Sequence, residues 1–376
     1  MIAPLSQTLR TTVLRLILVC LSVVVVGPLA GQTLFGGLSN RLSNLRFMAL
    51  PYAAVSPETG WAFGAAGSYF FNIGEDRRLS YIDFSGNYTL ARQWQVAVSS
   101  VLYFGQESRW QVRWRTGYHR YPYYYYGQGN RLSDLRQDRL AYTSDNAYLY
   151  VQPLYRLNDG WSVGGNIEAD YRFARAQTDE PIAGMNQRLM TIGVGALALF
   201  DSRDRLYYPS SGLFFKTEVT ARTTFLSAVV PMLNIRADYR QYQTLYQQLI
   251  LAWQVCAETT IGRSVPFYML PVLGGQDLIR GLQRALFTDD LMVAAQAELR
   301  FPIYHALRAC VFAGVGDVYN YNHWQWTMPK VGYGAGLRVC LNNDMVNIRF
   351  DVARNNLTSS WALDTWSFYL TLKEAF

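Results

Sequence analysis

Leu291-Met292-Val293-Ala294-Ala295-Gln296-Ala297-Glu298-Leu299-Arg300-Phe301-Pro302 is the stretch that decides the fold. Every second residue from Leu291 to Phe301 is apolar. The positions between carry Met292, Ala294, Gln296, Glu298 and Arg300. Successive side chains leave a strand on opposite sides, so a period of two means a β-strand with unlike faces. The pattern returns downstream. In 330–341, Val331, Tyr333, Ala335, Leu337, Val339 and Leu341 share one face; the other is glycine-rich and ends in Arg338 and Cys340. In 345–354, Val346, Ile348, Phe350 and Val352 stand against Asn347, Arg349 and Asp351. The last strand sets Trp366, Phe368, Leu370, Leu372 and Phe376 against Ser367, Tyr369, Thr371 and Lys373.

Working outward gives about sixteen such segments. They lie near residues 46–55, 61–72, 79–90, 94–105, 107–118, 141–156, 160–174, 188–201, 212–222, 228–243, 246–260, 291–302, 307–319, 330–341, 345–354 and 365–376. Connections alternate between short turns, such as Leu157-Asn158-Asp159-Gly160 and Leu341-Asn342-Asn343-Asp344, and long loops at 119–140, 175–187, 261–290 and 320–329. Short turns at one rim and long loops at the other are the asymmetry of outer-membrane barrels. The fold class expected is all-β, a transmembrane antiparallel β-barrel.

Composition agrees. Half of the 376 residues are hydrophobic, yet mean hydropathy is near zero. That excludes a bundle of membrane helices, which needs repeated apolar runs of roughly 20 residues. The 27 Tyr and 10 Trp suit strands and membrane-interface belts. A soluble sandwich also alternates, but the strand number, the aromatic strand ends and an export signal favour lipid. Contact with lipid in turn demands closure, because an open sheet edge leaves backbone groups unsatisfied.

The export signal is residues 1–31. Arg10 and Arg15 form a positive start, Leu16 to Val26 an apolar core, and Pro28-Leu29-Ala30-Gly31 the break and small residues before a cut. A short segment, 32–45, then leads to the barrel at 46–376, and the expected location is the outer membrane. The formal charge of +7 falls to +5 once Arg10 and Arg15 are removed. No basic stripe with stacking aromatics marks a nucleic-acid partner.

Signatures of catalysis are lacking. His119, His305 and His323 have no ligand-like spacing to Cys, Asp or Glu, so neither metal nor cofactor is expected. No Gly-x-Ser-x-Gly elbow or P-loop occurs. Asp201 and Asp204 read better as turn residues than as an acid/base pair, and an enzyme is not expected. The run Tyr121-Pro122-Tyr123-Tyr124-Tyr125-Tyr126 reads as the start of a long surface loop with girdle aromatics. A hairpin centred near residue 325 would place Cys310 opposite Cys340, either as a cross-strand disulfide or as two packed thiols.

Taken in order, several motifs resemble the BamA/TamA-type outer-membrane assembly superfamily. These are Leu50-Pro51-Tyr52 with Ser56-Pro57-Glu58-Thr59-Gly60, then Asp201-Ser202-Arg203-Asp204 with Tyr208-Pro209-Ser210-Ser211-Gly212. Gly274-Gly275 with Ile279-Arg280-Gly281-Leu282 follows, then Glu298-Leu299-Arg300-Phe301-Pro302 and Phe312-Ala313-Gly314-Val315-Gly316-Asp317. The last is the aromatic strand closing on Phe376.

The resemblance implies that Asp201, Arg203, Asp204, Pro209 and Gly212 form a periplasmic turn. It makes Ile279, Arg280, Gly281 and Leu282 the tip of a loop folded into the lumen, with Glu298 as the partner of Arg280. Gly314 stands where the family often has an Asp, and Asp317 has the opposite parity. Trp366, Phe368, Leu370 and Phe376 would form a C-terminal insertion signal. The sequence reads as a barrel-only member without periplasmic POTRA domains. By resemblance, such a barrel assists insertion or translocation of proteins or lipids through lateral opening at a first–last strand seam with few hydrogen bonds. Its partners would be outer-membrane lipid, client outer-membrane proteins and a separate periplasmic subunit. The rival readings are a passive pore with an open lumen and a membrane anchor or adhesin acting through surface loops.

Overall fold

Alternation builds one sheet. The computed structural model describes residues 47–56, 60–73, 80–90, 92–132, 135, 139–205, 208–304, 307–340, 347–357, 366–372 and 374–376. The signal-peptide reading of 1–31, the segment 32–45 and the turn Leu341–Asp344 lie outside them. The wall begins with β1 (Phe47–Ser56), β2 (Gly60–Phe71), β3 (Ser80–Thr89), β4 (Trp94–Phe104), β5 (Trp110–Tyr125) and β6 (Leu140–Arg156). It continues through β7 (Trp161–Ala176), β8 (Arg188–Asp201), β9 (Gly212–Leu226), β10 (Pro231–Tyr246) and β11 (Leu249–Gly262). A long loop then carries two short strands, β12 (Val272–Leu273) and β13 (Phe287–Thr288). The wall resumes with β14 (Leu291–Tyr304), β15 (Leu307–Tyr319), β16 (Lys330–Cys340), β17 (Asn347–Asn355) and β18 (Ser367–Leu372).

Each wall strand pairs antiparallel with the next, giving a 16-stranded sheet, while β12 and β13 pair only with each other. The sheet curls until β1 adjoins β18. No hydrogen-bonded ladder joins those two strands among the described residues, so the barrel is unclosed at this seam. The demand for full closure is therefore not met, and the expectation of a sparsely bonded seam fits better.

The two faces differ as a barrel requires. Along β16, Tyr333 and Leu337 are exposed outward and Arg338 is fully buried. Along β14, Gln296, Glu298 and Arg300 are buried and Val293 is exposed. Burying a charged face is tolerable only where the groups pair with one another, and here they pair inside the lumen. The apolar core is accordingly not central. It lies between the wall and the loop that carries β12 and β13, where Leu273, Ile279, Leu282, Phe287, Met292 and Val318 pack together.

Two expectations are corrected. The tyrosine run is not loop: β5 continues to Tyr125 and pairs with β6 as far as Leu140. Pro122 sits within it opposite Thr143. The ring of Tyr125 meets Phe267 at 4.8 Å and that of Tyr142 meets it at 5.1 Å, so a loop from elsewhere holds these strand ends together. The Cys310–Cys340 disulfide is also excluded. Gly336 stands opposite Cys310, Asn347 pairs with Cys340, and Cys310 is a free buried thiol. The register is fixed by Gly316 opposite Lys330, a step beside the Asp317–Lys330 ion pair at 2.6 Å, and not by a symmetric loop.

Candidate functional site

The long β11–β14 loop enters the lumen because its own sequence can form a tight apex. Gly275 N donates to the carbonyl of Leu282 at 3.0 Å, and Leu282 N donates to that of Ile279 at 3.2 Å. Gly281 takes φ +96°, and a Cβ there would sit 2.5 Å from the carbonyl oxygen of Arg354. Only glycine combines that conformation with that approach. Ile279 and Leu282 on either side are fully buried, so apolar burial anchors the apex and aims Arg280 at the wall.

There Arg280 meets two carboxylates. Nη2 bonds Glu298 of β14, and Nη1 bonds Asp351 of β17 at 2.7 Å. The guanidinium also lies 3.6 Å from the centre of the Phe312 ring. All three charged side chains are wholly buried. An arginine fork taken out of water needs such partners, because an unpaired buried charge is strongly destabilising. The carboxylates are shared. Glu298 also receives Arg300 Nε at 2.8 Å, and Asp351 also receives Arg338. Arg338 Nε in turn bonds Glu374 at 2.7 Å.

Main-chain contacts complete the seat. Asn355 Nδ2 donates to the Gly281 carbonyl at 2.8 Å, and Gly281 N donates to the Tyr369 hydroxyl at 3.2 Å. Gln296 Nε2 donates to the Asp277 carbonyl at 2.8 Å. The glycine-rich face of β16 makes room: a Cβ on Gly332 would lie 2.2 Å from the Arg280 carbonyl oxygen, and one on Gly336 would lie 2.0 Å from Asp351 Oδ1.

The structure thus brings Ile279, Arg280, Gly281, Leu282 and Glu298 together. Sequence reasoning missed Asp351 as the second carboxylate. Its parity on β17 was the available signal, but nothing local indicates that a loop 71 residues away reaches it.

The turn residues form a separate cluster at the short-turn rim. Arg203 grips Asp201 through Nε at 2.8 Å and Nη2 at 2.7 Å. Asp204 accepts from the amides of Ser210 at 2.9 Å and Ser211 at 3.2 Å, and from the Ser210 hydroxyl. Partial burial raises the Asp204 pKa, but the Ser210 and Ser211 donors outweigh it and hold the carboxyl below its usual range. Pro209 is buried, and a Cβ on Gly212 would strike the Ser202 carbonyl oxygen at 2.3 Å. These bonds tie both carboxylates into the turn itself.

At the C-terminal end Trp366 and Phe368 face outward, 57% and 48% exposed. Leu370 pairs with Phe350 in the β17–β18 ladder. Phe376 departs from the expected outward face. It is buried beside Tyr242, Ala252 and Ala375, and Arg300 Nη2 donates to its carbonyl at 3.3 Å. The strand stops at Leu372, so alternation no longer sets the direction of the residues beyond it. Among the described residues no group of His, Cys, Asp and Glu is arranged to hold a metal ion.

The long-loop end of the lumen is covered. Phe267 packs against Ala174 and Met185, and Tyr126 and Leu135 from the β5–β6 loop join the apolar cluster around Ile279.

A model of the Omp85 superfamily domain matches residues 59–372. Among solved structures, BamA from Haemophilus ducreyi lacking POTRA domains 1–3 superposes with a TM-score of 0.60 at 13% identity, covering 87% of this chain and 70% of that one. CdiB from Acinetobacter baumannii gives 0.57 at 10% identity, covering 87% and 59%. CdiB from Escherichia coli gives 0.57 at 11%, covering 87% and 62%. At these identities the likeness is one of fold, and the chain spans about three fifths of the CdiB chains. No curated protein sequence matches it.

Proposed function

The chain belongs to the Omp85 superfamily, and on that premise we propose that it resides in the outer membrane and helps proteins insert into or cross it. Lipids are a second cargo class open to the same mechanism. The observation that carries this reading is the pairing of an unladdered β1–β18 seam with a loop locked inside the lumen. Strand edges without partners are templates for another strand. An incoming client hairpin can add to such an edge, exchanging hydrogen bonds one for one without crossing lipid unpaired. The Arg280 lock holds β14 and β17 to the loop on one side of the seam while the margins part.

The covered outer mouth weighs against the passive-pore reading, which needs an open lumen. The anchor reading leaves the buried charge network without a task.

The test is a covalent seam. Cysteine pairs scanned along residues 47–56 and 367–372, in a chain whose native cysteines are replaced by alanine, would be oxidised in vesicles. Locked barrels are expected to stop accelerating the folding of a second outer-membrane barrel, with recovery on reduction. Unchanged acceleration by the locked barrel would overturn the proposal.

A further inference from the structure

The outward face of β5–β8 changes character at one rung. On β7 and β8 every outward pair from Trp161–Phe200 to Tyr171–Met190 is apolar or aromatic. On β5 and β6 the same holds from Trp110–Tyr155 to Tyr118–Ala147, Thr116 apart. The next rung is charged on three of the four strands. Arg120 pairs with Asp145, Asp145 with Phe173, and Phe173 with Arg188, in a single row. Arg175 is the next outward position along β7.

The length of the apolar run sets the depth of that row. At about 3.3 Å per residue, Trp161 to Tyr171 covers about 33 Å of strand, or about 25 Å of height at a tilt of about 40°. That is the height of the lipid-facing band of such barrels, which aromatic girdles bound on both sides. At the short-turn rim Trp110 meets Tyr155 at 4.9 Å and Trp161 meets Phe200 at 5.2 Å. At the long-loop rim Trp94 meets Tyr118 at 4.8 Å, and Trp94 is the partner of Arg120 across the β4–β5 ladder. The charged row therefore begins where the acyl region ends, on the side of the long loops.

Its charges do not cancel. Asp145 is buried, whereas Arg120, Arg175 and Arg188 are exposed. Asp145 accepts from the Tyr118 hydroxyl at 3.0 Å, lies 3.6 Å from Arg120 Nε, and bonds Arg175. Among the described residues no carboxylate pairs with Arg188. Its guanidinium lies 5.3 Å from the centre of the Phe173 ring, and that of Arg175 lies 4.9 Å from the same ring. Three cations thus share one acid, and two of them share one ring. Like charges so gathered repel, and the face of a phenyl ring offsets little of that cost at an exposed position. An anion bridging them would remove it.

We infer that Arg120, Arg175 and Arg188 form a seat for phosphate, carried by an anionic lipid of the outer leaflet whose acyl chains lie along the apolar rungs of β7 and β8. Depth favours a lipid over a free ion, because the cations stand directly above a face that touches acyl chains. The inference rests on the membrane-spanning reading but not on insertion or translocation.

The probe is bromine quenching of tryptophan. The protein is folded into phosphatidylcholine vesicles carrying a minority of either brominated phosphatidylglycerol or brominated phosphatidylcholine. Tyr171→Trp supplies a reporter one rung below Phe173, read as the difference from the native chain. Trp161, at the other rim of the same strand, is the control, read through Trp161→Phe. Brominated phosphatidylglycerol is expected to quench the reporter as if enriched about fivefold, with no enrichment at Trp161. Arg175→Gln with Arg188→Gln should bring the two lipids to parity at the reporter, and the matching Lys pair should keep most of the preference. Inorganic phosphate, added at constant ionic strength, should leave the preference in place. Folding of each variant is checked by heat-modifiable migration. Equal quenching by the two lipids at the reporter, or a preference that survives the Gln pair, overturns the seat. A preference abolished by inorganic phosphate assigns the arginines to a free ion and overturns the lipid. Absence of quenching by both lipids at the reporter and at Trp161 would instead defeat the membrane reading itself.

Discussion

Arg280 depends on Glu298 and Asp351, but neither carboxylate depends on Arg280 alone. Glu298 keeps Arg300, and Asp351 keeps Arg338, when the loop withdraws. The network is therefore asymmetric. Arg280→Ala should cost about 2 kcal/mol, as two charge-assisted bonds are lost while both acids stay paired. Its main effect should be new protease cleavage within 263–290. Glu298→Ala removes the shared acceptor of Arg280 and Arg300 and leaves buried guanidinium groups facing each other, so about 3–5 kcal/mol is expected. Urea unfolding in detergent would check the order, and equal losses would refute it. At this scale Glu298 was legible, because strand parity and a motif pointed to it together. Asp351 had only parity, and parity says which face a residue occupies but not what arrives there.

The decisive element is β16. Its lumen face is bare because the loop apex and Asp351 occupy the space where side chains would stand. Gly332→Val should push on the Arg280 main chain and cost about 1–3 kcal/mol through overpacking. The measurable sign would be loosening of the apex, seen as faster amide exchange at Gly281 and Leu282 with β8 and β9 unchanged. Wall strands were readable one by one, since their two faces meet different surroundings along their whole length. Their ends were not. Tyr121–Tyr125 stays in β5 because β6 and Phe267 hold it there, and Phe376 turns inward because β18 stops short. Strand ends answer to partners that a single segment does not reveal. The β15–β16 register is of the same kind, since the choice between Gly336 and Cys340 opposite Cys310 turned on a clamp beyond the hairpin's own alternation.

For the whole molecule, the covered outer mouth and the gap in the ladder could not be read from any segment. Both arise from where distant loops and the two chain margins meet. The cover predicts small conductance in planar bilayers. Deleting residues 275–285 should raise it, whereas a native barrel that conducts as freely as the deleted form would favour the pore. The Arg280 lock carries one more consequence, which concerns the order of events during biogenesis. Every wall contact of the Arg280–Gly281 apex described above falls on β14–β18, and its own loop precedes them directly. The last third of the polypeptide thus holds every partner of this apex and can organise around it without the N-terminal strands, once contacts 71 to 88 residues apart have closed. A barrel that gathered its N-terminal strands first would face the harder task of threading a finished loop into a nearly complete ring.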